Sequence, residues 1–443
     1  MPVYDDPRAG EAAAVRLARG EAVQGVLDGD DPRAWLALDA GVRRAAWWCA
    51  GAQRAEWERV APLPDDPAGL DAPRYALALC HRDGRVREAA VRGVAAHPSL
   101  LPLLVVRAAD WGAPVRQAAR QVLRELVDGD AVGEGGPGTV VGLAPVILLV
   151  GRRERGAFGV ALLDEVLRDP SRAWPPALLS HGDPAVRRHV HRLAVGTGRL
   201  SPAELARTAA DDADTVVQSV CADAALASVP EGRPCEEVAG PLLAARSPRA
   251  RSAGVTALRR TGEPERAVAF LADRSAMVRA CARYVVRQAG GDPVAWYRER
   301  CARAGDPLLP PGAVIGLAEC GERADADTLW ALLAHPSAAV RARAVAGLRV
   351  LDTADVRRLH PLLDDPAPGV VRETVLAVEP SVHLLSDEWL GERLDAGRPR
   401  HVRVGALRLA FRRGGSARAR ALRVAREDPD PVVRARAARE AAR

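Results

Sequence analysis

The stretch Asp183-Pro-Ala-Val-Arg187 is the clearest copy of a short phrase that recurs eleven times along this 443-residue chain. Each copy has a helix-starting residue, Val or Ala three positions later, usually Arg next, and a small or β-branched residue three positions after that. Successive copies are mostly 28 to 33 residues apart, and two intervals of 71 and 62 residues leave room for a degenerate copy. Such self-similarity indicates that one supersecondary unit of about thirty residues is stacked many times.

The phrase predicts the start of a helix. Asp or Ser at its first position favours an N-cap, and Pro at the second position suits the first turn. Val at the fourth position and the small residue three after the Arg share one helix face, which we predict to be buried. The predicted N-caps are Asp39, Asp83, Asp183, Ser247, Ser275, Ser337 and Asp430.

An apolar-periodic segment precedes each copy of the phrase and predicts a first helix for each unit. Ser201 and Glu204 have the spacing of a capping box at the start of one such segment. Later segments at 264–271, 325–333, 353–363 and 386–394 occupy the same place in their units. Each unit is therefore predicted to be a helical hairpin.

A single hairpin cannot bury its apolar face, so the copies must stack on one another. Strand-type alternation is nearly absent. The predicted fold is all-α, a right-handed α-α superhelix of about 12–13 hairpins.

A Gly-rich loop at 128–138 is predicted to separate a Trp-rich N-terminal block, residues 1–127, from a C-terminal array, residues 139–443. The loop contains G-x-G-x-x-G, but the dinucleotide fingerprint requires a preceding strand, and a helix is predicted there.

The thirty-residue helix pair with D-x-x-V-R-x-x-A in its second helix resembles the HEAT repeat of the short bacterial type, which also occurs in phycobilin lyase subunits. The resemblance covers nearly the whole chain and implies a solenoid. It implies no particular activity, because such solenoids dock many unrelated partners. We interpret the recurring arginines as a ladder in which each Arg pairs with an Asp or a backbone carbonyl of an adjacent unit.

The chain is rich in arginine and its charge is uneven. All 63 basic residues are Arg, and Lys and Asn are absent, which indicates a GC-rich bacterial genome. Arginine abundance is therefore not by itself a sign of nucleic-acid binding. Residues 397–443 nevertheless hold 14 Arg against 4 acidic residues, while the whole chain carries a formal charge of +6. This basic end could attract a polyanion or an acidic protein surface.

Several function classes receive no support from the sequence. The seven cysteines include no C-x-x-C pair, which favours reduced thiols in a cytoplasm. The longest apolar run, 140–150, is too short to span a membrane, and the N-terminus has no hydrophobic signal region. No His and Cys residues have zinc-site spacing. We expect a cytoplasmic protein without membrane contact, catalytic residues, metal or cofactor.

Candidate partner-binding residues are exposed aromatics and arginines. Adjacent Trp47 and Trp48 point to different faces of a helix, so both can hardly be buried in one core. Either they cover the terminal core as a cap, or one of them is a partner anchor. The arginines proposed to contact a partner are Arg44, Arg188, Arg343, Arg403, Arg412, Arg413 and Arg436.

The leading hypothesis is a non-enzymatic scaffold that binds a protein partner along a concave face built from second helices. One alternative is DNA binding, because HEAT-like solenoids resembling the alkylpurine DNA glycosylases cradle duplex DNA, although the acidic majority of the array would repel phosphate. A weaker alternative, a phycobilin-lyase-like function, rests on the repeat type alone. The last helix, Pro431–Arg443, has no following unit, so self-association through it is a further expectation.

Overall fold

The computed structural model describes residues 6–48, 55–64, 66–128 and 137–442. The regular elements in these ranges are all helices. The chain divides into two compact units, here called the N-terminal unit, Met1–Leu200, and the C-terminal unit, Ser201–Arg443. The expected boundary at 128–138 lies inside the N-terminal unit, and residues 129–136 of that segment, with Gly133 and Gly135, lie outside the described residues.

The N-terminal unit is built from α-helices and two short 3₁₀ helices, Val94–Ala96 and Pro98–Leu100. Its α-helices are α1 (Pro7–Ala18), α2 (Val23–Val26), α3 (Pro32–Trp48), α4 (Glu56–Val60), α5 (Ala72–Cys80), α6 (Gly84–Gly93), α7 (Leu101–Arg107), α8 (Ala113–Asp128), α9 (Pro137–Gly142), α10 (Ala144–Val150), α11 (Ala157–Arg168), α12 (Pro176–Leu179) and α13 (Pro184–Thr197).

The C-terminal unit continues with α14 (Pro202–Asp211), α15 (Thr215–Ala227), α16 (Glu236–Ala244), α17 (Pro248–Thr261), α18 (Ala276–Gln288), α19 (Pro293–Cys301), α20 (Pro311–Cys320), α21 (Ala326–Ala331), α22 (Ala338–Val350), α23 (Val356–Leu359), α24 (Pro368–Val378), α25 (Asp387–Arg393), α26 (Arg400–Arg413), α27 (Gly415–Glu427) and α28 (Pro431–Ala441). Its 3₁₀ helices are Pro264–Ala272, Arg323–Asp325, Leu332–Ala334, His360–Asp364 and Glu379–Leu384.

Consecutive helices pack as hairpins in both units. The N-terminal unit pairs α1 with α3, α5 with α6, α7 with α8, α10 with α11, and α12 with α13. The C-terminal unit contributes eight pairs within its described residues, from α14 with α15 to α27 with α28. The pairs α10–α11 and α19–α20 fill the two long intervals that lack the phrase. The predicted all-α repeat fold is confirmed.

The phrase valines and the small residues after them form the core, as predicted. Val186, Val278 and Val340 are fully buried, and the small-residue position is buried in every copy whose side chain is described. Gly254 occupies that position where α17 meets α16, and a Cβ there would lie only 2.9 Å from Leu242 Cβ. Small residues at this position therefore let neighbouring helices approach closely.

Most predicted helix starts are confirmed, with two corrections. The carboxylates of Asp83, Asp183 and Asp430 accept hydrogen bonds from the first-turn backbone, and Ser201 and Glu204 form the capping box. The three predicted serine N-caps stand at helix starts, but their side chains accept no capping hydrogen bond: Ser247, Ser275 and Ser337. Asp39 is not an N-cap, because it lies in the middle of α3, seven residues after that helix begins.

Several first helices are shorter than the sequence indicates and continue as 3₁₀ turns. The segment at 353–363 forms α23 and then the 3₁₀ helix His360–Asp364. Pro361 explains the change, because it has no backbone N–H to donate to the carbonyl four residues earlier. The apolar run at 140–150 belongs to α9 and α10, where Val146 and Ile147 are buried. No helix of the described ranges is both long enough and apolar enough to cross a bilayer.

Candidate binding groove

Four of the recurring arginines form the predicted ladder between hairpins, namely Arg87, Arg251, Arg341 and Arg403, whereas Arg279 pairs with Glu319 and Arg372 with the adjacent Glu373. Arg87 donates from Nε and Nη2 to the two carboxylate oxygens of Asp110 in the next hairpin, at 3.1 and 3.0 Å. Its Nη1 donates to the carbonyls of His81 and Arg82, in the turn of its own hairpin. The same bidentate arrangement recurs at Arg251–Asp273 and Arg341–Asp365. The ladder prediction is confirmed for the Asp partner, but the carbonyl partner belongs to the same unit and not to an adjacent one.

Each ladder aspartate also starts the next second helix. Asp110 Oδ1 accepts from the Gly112 backbone N–H at 2.9 Å, and Asp273 Oδ1 accepts from Ser275 N–H at 2.7 Å. One carboxylate thus ties an arginine of one hairpin to the turn of the following hairpin. His335 replaces Asp at the corresponding position, where its Nδ1 accepts from Ser337 N–H at 3.0 Å. This assigns the ring proton to Nε2, which donates to the Asp306 carbonyl at 2.8 Å.

Five charged side chains form a buried cluster in the N-terminal unit: Asp39, Arg43, Arg87, Arg107 and Asp110. Arg107 is fully buried, contacts the Asp39 carboxylate and donates to Asp110 Oδ2 at 2.9 Å. Burial raises the pKa of Asp110, but the charge of Arg107 and the hydrogen bond from Arg87 outweigh burial and hold this pKa below its ordinary value. Burial and the nearby Arg107 lower the pKa of Arg43. The cluster contains three guanidinium groups and two carboxylates, which accounts for Asp39 lying inside a helix.

Three thiols and one histidine that could do chemistry are either buried or paired with a carboxylate. Burial raises the pKa values of the Cys80, Cys221 and Cys301 thiols to about 12, so these thiols are poor nucleophiles. His189 Nε2 lies 2.6 Å from Asp164 Oδ1 on the neighbouring helix. Within the described residues, no group of three His, Cys, Asp or Glu side chains is arranged to hold a metal ion.

The predicted surface arginines differ in exposure and in ion pairing. Arg44 is exposed and lies 3.7 Å from Glu11, and Arg188 is half-buried on α13. In the C-terminal unit, Arg343 on α22 is exposed, whereas Arg436 on α28 pairs with Glu440 at 2.8 Å. Arg403 is only 6% exposed, and its Nη1 donates to both oxygens of Asp428. Arg403 is therefore a ladder residue, which corrects our expectation that it faces a partner.

The tryptophans of the N-terminal unit are divided between core and surface. Trp35 and Trp57 are buried, whereas Trp111 is 65% exposed, with the Arg87 guanidinium 5.4 Å from its ring centroid. The side chains of Trp47 and Trp48 lie outside the described part of the structure. The exposed Trp111 could have been recognised from its position in a turn, Asp110-Trp-Gly112, off the periodic apolar face.

Arginines of the basic end form ion pairs at several positions, among them the predicted residues Arg412 and Arg413. Arg412 Nε lies 2.8 Å from Glu379 Oε1, and Arg413 Nε lies 2.8 Å from Asp387 Oδ1. The unneutralised charge concentrates on α27. Four exposed arginines of this helix form no ion pair with a described acidic residue: Arg418, Arg420, Arg423 and Arg426.

The last described helix, α28, keeps only part of its apolar side covered. Val433 and Ala437 are buried, whereas Val432 is 49% exposed. Self-association through this helix stays a prediction.

A groove runs along one side of the N-terminal unit. It consists of two adjoining pockets of about 450 and 610 Å³, which share Gly29, Asp30, Pro102, Gly142 and Leu143. We call this combined space the N-terminal groove. The first pocket is also lined by apolar side chains, namely Val23, Leu27, Trp35 and Leu101, and the second pocket continues to His181 and Asp183. The groove thus joins segments from four separate parts of the unit.

The groove carries unneutralised negative charge. Asp28 lines the first pocket, Asp183 lines the second, and Asp30 lines both. None of these three carboxylates forms an ion pair with a described residue, and no Arg is among the lining residues of either pocket. The ladder aspartates, by contrast, each pair with an Arg. The sequence signal for this groove is the acidic turn Asp28-Gly-Asp-Asp-Pro32, which the repeat pattern does not single out.

Comparisons with known proteins yield weak structural likenesses. No family model and no curated protein matches the chain. The solved structure of Kap121p shares 12% identity at a TM-score of 0.27 and covers 98% of this chain. A structure of importin beta shares 12% identity at a TM-score of 0.30, covering 97% of this chain and 75% of that chain. The chain spans about half, 53%, of the Kap121p chain it matches. Likenesses at these scores carry no argument about function.

Proposed function

We propose that this chain is a non-catalytic helical-repeat scaffold that binds a protein partner in the N-terminal groove. The observation that supports this proposal most directly is an apolar groove floor bordered by carboxylates that form no ion pair with a described residue. Charged side chains that border apolar surface without an ion-pair partner are available for recognition. A groove assembled from several turns suits an extended protein segment better than a small, enclosed ligand.

A scaffold function also agrees with the chemistry of the described side chains. The shifted pKa values belong to groups that are buried, paired with a charge or hydrogen-bonded locally, such as the thiols, the ladder aspartates and the buried cluster. Perturbed groups indicate an active site when a cleft brings them together, and the N-terminal groove contains none of these groups.

A photo-crosslinking experiment tests the proposal. A photoreactive amino acid at Gln24, which lines the groove, is expected to capture a partner protein from the native lysate. The substitution Gly142→Phe should lower the captured amount at least about tenfold, because a Cβ at Gly142 meets no atom within 4 Å and the ring can occupy the groove without strain.

Two matched controls accompany this experiment. Gly196→Phe also adds a ring at an open helical position, but Gly196 does not line the groove, so capture should be unchanged. Gln288 on α18 provides a second exposed glutamine for the photoreactive group and should capture no more than background. Equal capture from Gln24 and Gln288, or full capture by the Gly142→Phe variant, would contradict the groove as the binding site.

Nucleic-acid binding is a second candidate function, and the four unneutralised arginines of α27 favour it. If they contact four phosphates, the affinity for a labelled duplex should fall roughly a hundredfold between 50 and 200 mM salt. The triple substitution of Arg418, Arg423 and Arg426 by Gln should remove most of this salt dependence. If the affinity for the duplex does not depend on salt, or if the triple substitution leaves it unchanged, this candidate function is eliminated.

A further inference from the structure

We infer that the N-terminal groove recognises an extended protein segment in which an apolar side chain is flanked by Arg or Lys on both sides. This inference rests on the proposed function and adds the chemical class of the partner. It follows from the arrangement of apolar and charged groups along the two pockets.

The floor of the first pocket selects an apolar anchor. Val23, Leu27 and Leu101 are almost fully buried, yet they line open space together with Pro98 and Pro102. An apolar side chain that enters this space removes both surfaces from water, which stabilises the complex by roughly 25 cal/mol per Å² before ordering costs. A charged side chain in the same place would lose its hydration and gain no partner.

The three carboxylates are distributed along the groove and do not form a single cluster. Asp28 borders the first pocket, Asp30 the shared middle and Asp183 the second pocket. A segment that crosses both pockets therefore meets negative charge beside the apolar floor of the first pocket, where the two pockets join, and in the second pocket. Asp28 and Asp183 accept only capping hydrogen bonds, from Asp30 N–H at 3.1 Å and Ala185 N–H at 2.7 Å, and these leave carboxylate lone pairs free to accept from a guanidinium or ammonium group.

Trp35 supplies an additional reason to expect an extended main chain. Its ring lines the first pocket, is 3% exposed, and its Nε1 has no hydrogen-bond partner among the described residues. A buried donor without a partner is costly, and a carbonyl of an incoming main chain would relieve this cost once a shift of the ring exposes Nε1, which has almost no accessible surface. An extended segment presents its carbonyls to the groove, whereas a helix uses them internally.

The charge of the groove argues against two other occupants. Phosphate groups of a nucleic acid would be repelled by three carboxylates that no Arg neutralises. An acidic peptide would be repelled in the same way. The basic arginines of α27 on a second copy of this chain have the correct sign, so self-association is an outcome that the experiment must separate.

Fluorescence anisotropy with three labelled peptides tests the inference. All three share a Leu-Val-Leu centre, which is flanked on both sides by Arg-Arg, by Glu-Glu or by Gly-Ser. The Arg-flanked peptide should bind the full-length chain at least about tenfold more tightly than the Glu-flanked one, and this preference should shrink at high salt. The double substitution Asp28→Asn with Asp30→Asn should weaken binding of the Arg-flanked peptide about fivefold to tenfold, as expected for two exposed charge pairs.

Blocking variants locate the site and identify the occupant. Gly142→Phe should abolish binding of the Arg-flanked peptide, whereas Gly196→Phe should leave it unchanged. If all three peptides bind with equal affinity, or if Gly142→Phe leaves the affinity for the Arg-flanked peptide unchanged, the inferred partner class is overturned. If the chain forms oligomers that Gly142→Phe dissociates, the occupant is a second copy and the inference is also overturned.

Failure of this inference can be told apart from failure of the proposed function. If photo-crosslinking at Gln24 still captures a partner that Gly142→Phe excludes, while the Arg-flanked peptide shows no preference, the groove binds a protein of another class. If crosslinking and peptide binding both fail, the proposed function itself is wrong.

Discussion

The substitution Asp110→Ala is expected to destabilise the N-terminal unit by about 3–5 kcal/mol, the usual cost of removing one partner from a buried ion pair. Asp110 accepts hydrogen bonds from both Arg87 and Arg107, and both of these guanidinium groups are fully buried. Without the carboxylate, three clustered positive charges would share only Asp39. Amide hydrogen exchange across α5 to α8 measures the effect as a loss of protection.

Two further variants show whether the loss of stability comes from the charge of Asp110, from its capping hydrogen bond or from the burial of its ion pairs. Asp110→Asn can still accept from the Gly112 N–H, so it keeps the cap and loses only the charge. We expect it to cost most of what Asp110→Ala costs. Glu165→Ala breaks an Arg–Glu pair in the same unit whose glutamate side chain is 64% exposed, and no loss of stability should be measurable. If Asp110→Ala were as harmless as Glu165→Ala, the buried cluster would not be a source of stability.

The repeat array could be predicted from the sequence because the interactions that start and bury each helix involve residues close in sequence and recur in every copy. Three signals predict the same helix in every copy: the N-cap, the buried Val and the small residue three after the Arg. A helix that is ambiguous in one copy can therefore be assigned by comparison with the others. The Asp partner of the ladder followed from the same register, since Arg251 and Asp273 occupy equivalent places to Arg341 and Asp365.

The buried cluster was not predictable in this way. Arg107 and Asp39 are separated by 68 positions and belong to different hairpins. The phrase at Asp39–Arg43 looked like every other helix start, although α3 begins seven residues earlier at Pro32. The only local indication was Arg107 itself, a charged residue at the end of an otherwise apolar helix, which calls for a buried acidic partner without identifying it.

The groove was missed for a different physical reason. It is lined mainly by turns and helix ends, which lie outside the periodic part of each repeat. Acidic turn residues such as Asp28 and Asp183 are sufficiently explained by backbone capping, so their identity alone does not reveal a second use. What distinguishes them is that they form no ion pair with a described Arg in an arginine-rich chain, and only the three-dimensional arrangement shows this.

The substitution Gly10→Ala is expected to destabilise the N-terminal unit by about 3 kcal/mol through overpacking. Gly10 on α1 faces α3, and a Cβ at this position would lie 1.8 Å from the Ala37 carbonyl oxygen. Gly41 on α3 faces back toward α1, where its Cβ would lie 2.3 Å from the Gly10 carbonyl carbon. Because the obstructing atoms belong to the backbone, no side-chain rotation can relieve the clash, and the two helices must separate.

Gly196→Ala is the matched comparison, and it should change stability in the opposite direction. Gly196 lies in α13, and a Cβ at this position would meet no atom within 4 Å. Only helix propensity changes there, so Ala should stabilise the helix by about 0.5–1 kcal/mol. Urea unfolding combined with hydrogen exchange in α1 and α3 measures both variants. The same propensity gain acts at Gly10, so a measured stabilisation there would mean that α1 and α3 can move apart at little cost. A loss confined to α1 and α3 would instead show that backbone contact between them holds this end of the repeat array together.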